Sequence, residues 1–201
     1  MGESGPLDPV PNAELDTNTN NSNSDRTNRN QNNGTNKKEK TIGTWNIRRG
    51  LIKRENEILE IITSQNIDIL FLTETDTKRS NAEKFVIKGF NTVVQKVSKE
   101  DDVVRIVALV RENAGLEFKV RDDLMSVSFP SIWLEIQDKN KSSTLLGGFY
   151  RQWSCNGIRS KELQVEEMQI FCDQINSGCT PKSKTIIMGD ANLCSTKWHN
   201  E

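Results

Sequence analysis

The sequence is poorest in the residues that most acid–base and metal chemistry draws on: one histidine and one tyrosine in 201 residues. The histidine is His199, almost at the C-terminal end. A multi-histidine metal site is therefore excluded, and a histidine general base would have to be that residue. The four cysteines, Cys155, Cys172, Cys179 and Cys194, contain no C-x-x-C pair, so neither a zinc site nor a thioredoxin-like motif is suggested. No apolar run is long enough to span a bilayer. The N-terminus, Met-Gly-Glu-Ser-Gly-Pro, lacks the basic flank and apolar core of a secretory signal, and Pro6 stands where a myristoylation signal wants Ser or Thr. These absences lead us to expect an intracellular protein, nuclear or cytoplasmic and not secreted, with reduced thiols and no membrane partner. The sequons at Asn33 and Asn140 would then carry no glycan. Net charge is lacking too: 27 Lys and Arg face 28 Asp and Glu. That argues against an overtly basic coat, though not against a local basic groove. There is no internal repeat at solenoid periods, and nothing in the sequence bears on oligomeric state.

Apolar residues are almost absent from residues 1–40 after Val10, where about ten asparagines accompany Ser, Thr, Asp and Pro. Such a segment buries too little surface to offset the ~1–2 kcal/mol per residue that ordering a backbone costs. It reads as a disordered Asn-rich leader, and residues 41–201 as the folded domain.

In that domain Thr41 to Ile47 reads as a strand delivering Asn46 to its end, followed by the cations Arg48, Arg49, Lys53 and Arg54. A helix over about residues 53–64 follows, with Ile58, Leu59, Ile61 and Ile62 as its apolar stripe. Ile67 to Thr73 reads as a buried strand ending at Glu74. Strand, helix, strand is a βαβ unit, which favours a parallel pair. Beyond a polar loop (Thr75 to Glu83), Asn91–Val97 with Arg105–Val110, and Ser131–Gln137 with Thr144–Tyr150, read as two antiparallel hairpins. Lys161 to Asn176 has helical spacing of Met168, Phe171, Cys172 and Ile175, which places Cys172 in the core, and Gly178 suits a C-cap. Lys184 to Met188 reads as a strand buried on both faces. Gly189 would turn the backbone out of the sheet, presenting Asp190 and Asn192 on one side. The pattern predicts an α/β fold in which mixed sheets form a sandwich flanked by helices.

Asn46, Glu74, Tyr150, Asp190 and Asn192 all fall at predicted strand ends, where α/β proteins tend to keep their sites. Two carboxylates, two carboxamides and a phenol make an oxygen-rich set that suits Mg²⁺ (Mn²⁺ is also compatible) and neither zinc nor copper. The chemistry this suggests is metal-assisted cleavage of a phosphate ester. Glu74 and Asn46 would hold the metal, Asp190 would deprotonate a water, and Asn192 and Tyr150 would donate hydrogen bonds to the phosphate. Taken singly, each of these residues has an ordinary structural explanation. Their joint occurrence in this order carries the reading. Arg48, Arg49 and Arg151 are the candidate contacts to a polyanion, of a kind the cluster alone does not specify.

Trp45-Asn46-Ile47-Arg48, Leu72-Thr73-Glu74-Thr75, Gly148-Phe149-Tyr150-Arg151 and Met188-Gly189-Asp190-Ala191-Asn192 together resemble the endonuclease/exonuclease/phosphatase superfamily. They look most like the apurinic-endonuclease-like domain of non-LTR retrotransposons. The resemblance implies a four-layered α/β sandwich, a divalent metal, and phosphodiester hydrolysis that nicks target DNA. It also implies that Asn46 and Glu74 match the family's metal-site residues. Tyr150 matches its phosphate-contacting tyrosine, and Asp190 with Asn192 its water-activating and phosphate-orienting pair. The family closes its site with a Ser-Asp-His motif that does not occur here, and His199 stands only seven residues after Asn192. The resemblance therefore implies a C-terminally truncated domain, with the second half incomplete and the inner face of the second sheet open. Two alternatives share the motifs: a phosphodiesterase acting on a phospholipid or inositol phosphate, and an inactive nucleic-acid-binding remnant.

Overall fold

The structure, a computed structural model, describes residues 39–137, 142–152, 161–181 and 184–192. The leader up to residue 38, the second hairpin's turn (138–141), Cys155, Cys194 and His199 lie outside the described residues.

β1 (Ile42–Asn46) and β2 (Ile69–Lys78) pair in parallel, with Asn46 opposite Thr73, and α1 (Glu55–Ser64) lies between them in sequence. A 3₁₀ turn, Leu51–Arg54, occupies the start of the expected helix. Glu55 and Glu57 place negative charge in the first turn of α1, where the helix dipole favours it. Ile58 and Ile62, one turn apart, are fully buried. Alternation along β2 explains why four consecutive apolar residues are needed there. Leu70 and Leu72 pack with Ile58 and Ile62, whereas Ile69 and Phe71 join the core shared with the second sheet.

After the short α2 (Arg79–Ala82), β3 (Phe90–Val94) and β4 (Val103–Arg111) form the expected antiparallel hairpin and complete a sheet of order β1-β2-β4-β3. The second sheet has order β5-β6-β7-β8: β5 (Glu117–Val120), β6 (Ser131–Gln137), β7 (Ser143–Tyr150) and β8 (Lys184–Asp190). β8 runs parallel to β7, and α3 (Lys161–Gly178) lies between them in sequence. The layers are therefore helix, sheet, sheet, helix: a four-layered α/β sandwich with two mixed sheets. The sheets approach closely at Gly148, where an added Cβ would lie 2.1 Å from the Phe71 ring. The inner faces of β6 and β7 are thus packed against the first sheet and not open. β5 has no counterpart in the sequence reading.

Four expectations change. β8 is not buried on both faces. It pairs only with β7 among the described residues, and Ile187 is 37% exposed. Gly189 does not turn the chain out of the sheet, because it pairs with Phe149 inside the strand. A Cβ there would fall 2.0 Å from the Phe149 carbonyl oxygen, so the residue answers a close approach. On α3, Cys172 is exposed; the buried positions are Glu167, Phe171, Gln174 and Gly178. Met168, Phe171 and Ile175 do pack against the core, so the stripe fails only at Cys172, while the polar Glu167 and Gln174 share the buried face. Gln174 Oε1 accepts hydrogen bonds from Ser131 Oγ (2.9 Å) and Trp133 Nε1 (3.0 Å). Gly178 is still helical, and a Cβ there would meet Leu145 at 2.6 Å, so it serves packing in place of capping.

Candidate active site

The ends of β1 and β8 belong to different sheets, yet their side chains meet. Asn46 Nδ2 donates to Asp190 Oδ2 at 2.7 Å. The other Asp190 oxygen, Oδ1, accepts the Asn192 amide at 3.0 Å, a local turn that holds the carboxylate at the strand end. Asn46 Oδ1 in turn accepts the Arg48 amide at 2.9 Å. The carboxamide therefore has a defined orientation, oxygen toward its own turn and nitrogen toward Asp190.

Glu74 does not end β2, and the expected loop after it is partly strand. Register is kept from Ile69 to Thr73, lost, and resumed at Thr77 and Lys78 opposite Val104 and Val103. Residues 74–76 form a bulge, and Glu74 and Asp76 have left-handed backbone (φ 53° and 38°). A non-glycine residue held there costs about 1–3 kcal/mol and persists only where the surroundings over-determine it. Buried Thr75, whose hydroxyl donates to the Val104 carbonyl at 2.7 Å, is one such anchor. Bulges re-aim side chains. Here the Glu74 carboxylate is half-buried and makes no hydrogen bond among the described residues.

Tyr150 is 6% exposed, and its hydroxyl has no hydrogen-bond partner among the described residues. Its pKa is pushed up to about 12, first by burial and then by the charges of Glu74, Asp76 and Asp190, with Arg105 opposing. The phenol is therefore a proton donor throughout the neutral and mildly alkaline range. Tyr150 pairs in register with Asp190, and Glu74 and Asp76 add to the charge that disfavours its ionisation. Asp76 is a member that sequence reasoning missed. Its signal was present, a second carboxylate two residues after Glu74, but hidden by reading the segment as loop.

The three arginines differ. Arg48 is exposed, with no side-chain partner among the described residues. Arg49 is exposed but pairs through Nε with Asp76 Oδ2 at 3.0 Å. Arg151 is turned inward: it donates to the carbonyls of Ala191 and Asn192 (both 3.3 Å) and to Gln164 Oε1 (2.7 Å). Its own carbonyl accepts Asn192 Nδ2 at 2.7 Å, so one N–H of the Asn192 carboxamide is committed to that loop. Lys53 and Arg54 stand on the 3₁₀ turn, Arg54 paired with Glu57 at 2.6 Å.

Among the described residues no three His, Cys, Asp or Glu side chains converge into a cage that would hold a metal by itself. The donor chemistry nonetheless fits a hard cation. An unengaged carboxylate at Glu74 and the Asn46 carboxamide oxygen are ligands of the kind Mg²⁺ takes while keeping most of its waters. No helix of the described residues is long and apolar enough to cross a membrane.

No family model matches this chain, and no curated protein does. Solved structures do. The endonuclease domain of TRAS1, a telomere-specific non-LTR retrotransposon, is 18% identical with a TM-score of 0.53, over 77% of this chain and 61% of that one. The AP endonuclease LMAP from Leishmania major is 18% identical with a TM-score of 0.58, over 75% and 54%. The 3′ phosphatase NExo from Neisseria, bound to a product DNA hairpin, is 17% identical with a TM-score of 0.54, over 79% and 63%. The chain thus spans less than two thirds of each. The fold they share with it is that of the endonuclease/exonuclease/phosphatase group.

Proposed function

We propose that this chain hydrolyses phosphodiester bonds in DNA by attack of a water molecule, with the help of a divalent metal. The observation that carries the reading is the 2.7 Å bond from Asn46 to Asp190, which joins the ends of two sheets beside a buried, protonated tyrosine. Each Asp190 oxygen accepts one hydrogen bond and keeps a lone pair. Asp190 is therefore oriented to take a proton from water, a role worth about 10²–10⁴-fold in rate. Tyr150 donates its hydroxyl to a non-bridging phosphate oxygen, and the free N–H of the Asn192 carboxamide orients the same group. Glu74, with the Asn46 oxygen, would hold Mg²⁺ or Mn²⁺, which would supply Lewis-acid polarisation of a phosphoryl oxygen and offset charge on the leaving oxygen. Arg48 and Arg49 reach DNA phosphates from the rim, while Arg151 acts through the backbone it fixes. The fold of the retrotransposon endonuclease domain, and that of the phosphatase bound to a DNA hairpin, support DNA as substrate and target nicking in a retroelement as the setting.

The test is conversion of supercoiled plasmid to the nicked form with Mg²⁺. Asp190→Ala and Glu74→Ala are each expected to lower the rate at least ~100-fold. Variants that nick as fast as the unaltered chain remove these residues from the mechanism. Salt-sensitive DNA binding without any nicking replaces the hydrolase by a binding module.

A further inference from the structure

Asp76 is the carboxylate that this reading leaves unused. β2 carries three residues, 74–76, where β4 carries only Arg105. Thr75, the middle residue, is buried and bonded to Val104, which leaves Glu74 and Asp76 as the side chains not drawn into the core. Arg49 touches both of these residues. Its amide donates to the Glu74 carbonyl at 2.7 Å, and its Nε donates to Asp76 Oδ2 at 3.0 Å. The turn that bears it has positive φ at Arg48 (50°), Arg49 (74°) and Gly50 (81°). Through the Arg48 amide the same turn is bonded to the Asn46 oxygen. One short turn thus ties together the two residues proposed as metal ligands.

The ion pair itself is too exposed to matter much for stability, with side-chain exposures of 81% for Arg49 and 27% for Asp76. Its position gives it a different use. We propose that Asp76, acting through Arg49, is a positioning residue for Glu74: the pair holds the bulge against the 48–50 turn so that the Glu74 and Asn46 oxygens stay within reach of one ion. This rests on the metal-holding role given to Glu74 above.

The experiment combines two readouts on the full chain, Mn²⁺ affinity by electron paramagnetic resonance and amide hydrogen exchange at Arg49 without metal. Asp76→Asn keeps a side chain that tolerates left-handed backbone, so it isolates the charge. Asp76→Asn and Arg49→Gln are each expected to weaken Mn²⁺ binding about 10-fold, the usual scale for a group supporting a ligand, and to speed exchange. The reversed pair, Arg49→Glu with Asp76→Lys, is expected to recover most of both. Single variants that match the unaltered chain in both readouts overturn the proposal. So does a reversed pair as weak as the singles, since Asp76 would then act as a ligand in its own right. If the unaltered chain takes up no Mn²⁺, the reading of Glu74 fails, and unchanged exchange in the variants then overturns the positioning role separately.

Discussion

β2 and β8 each carry a carboxylate of the candidate site, Glu74 in the bulge of one and Asp190 at the end of the other, yet they hold it by different means. β2 lies between β1 and β4, and its residues Ile69 to Leu72 are buried to 1% exposure or less. β8 pairs with β7 alone among the described residues and is half-exposed along most of its length. In β2 the core dictates the backbone so firmly that two carboxylate residues can be kept in a left-handed conformation. In β8 the position of Asp190 depends on polar ties, to Asn46, to the Asn192 amide and, through its own carbonyl, to the Arg151 amide. One half of the site is set by packing and the other by hydrogen bonds.

If this contrast holds, damage to β2 unfolds the domain, whereas damage to β8 disturbs the site first. Phe71→Ala removes the ring wedged against Gly148 and should cost about 3–5 kcal/mol in urea unfolding. Gly189→Ala forces a methyl group against the Phe149 carbonyl and should cost about 1–3 kcal/mol in thermal melting, with Asp190 displaced. A cost for Gly189→Ala equal to that of Phe71→Ala would break the contrast. Ile187→Ser, on the exposed edge, should stay within about 0.5 kcal/mol of the unaltered chain by the same measurement.

Tyr150 offers a way to sharpen the comparison, since it is the only tyrosine and tyrosinate absorbance reads it alone. Its ionisation is expected near pH 12 in the folded chain against about 10 when unfolded. The folded state prefers the protonated phenol. Its contribution to stability is therefore complete below about pH 10 and is lost as pH rises through 12. Neutralising the carboxylates should lower the folded value, most for Glu74→Gln, less for Asp76→Asn and least for Asp190→Asn. No response to Glu74→Gln would separate the two halves of the site.

Where residues obey a local period, the sequence is legible. The parallel pair β1 and β2, both hairpins and the span of α3 follow from apolar alternation and helical spacing. What is misread depends on partners far away in the chain. Thr75, Asp76 and Thr77 look like loop because they are polar; they remain strand because Thr75 bonds to Val104 and Thr77 pairs with it. Cys172 looks buried by spacing, but the core face of α3 is decided by Gln174, which meets Ser131 and Trp133 from β6. Glu117–Val120 alternates exposed and half-buried residues over only four positions, too short a run to announce the strand that pairing with β6 completes. At the site the residue types were readable, whereas the Asn46–Asp190 bond spans 144 positions and no local pattern could announce it.

That bond straddles the seam between two sheets that otherwise meet through hydrocarbon. A slip of an ångström along the seam would leave the core greasy and content but would pull the two side chains out of register. A phosphate held by Tyr150 and Asn192 on one sheet and by a cation on Glu74 and Asn46 on the other, as proposed above, would therefore work as a rivet, gripping both plates at once. By mass action, occupancy a hundredfold above the dissociation constant would add about 2.7 kcal/mol to the sandwich, even with a ligand that is never cut.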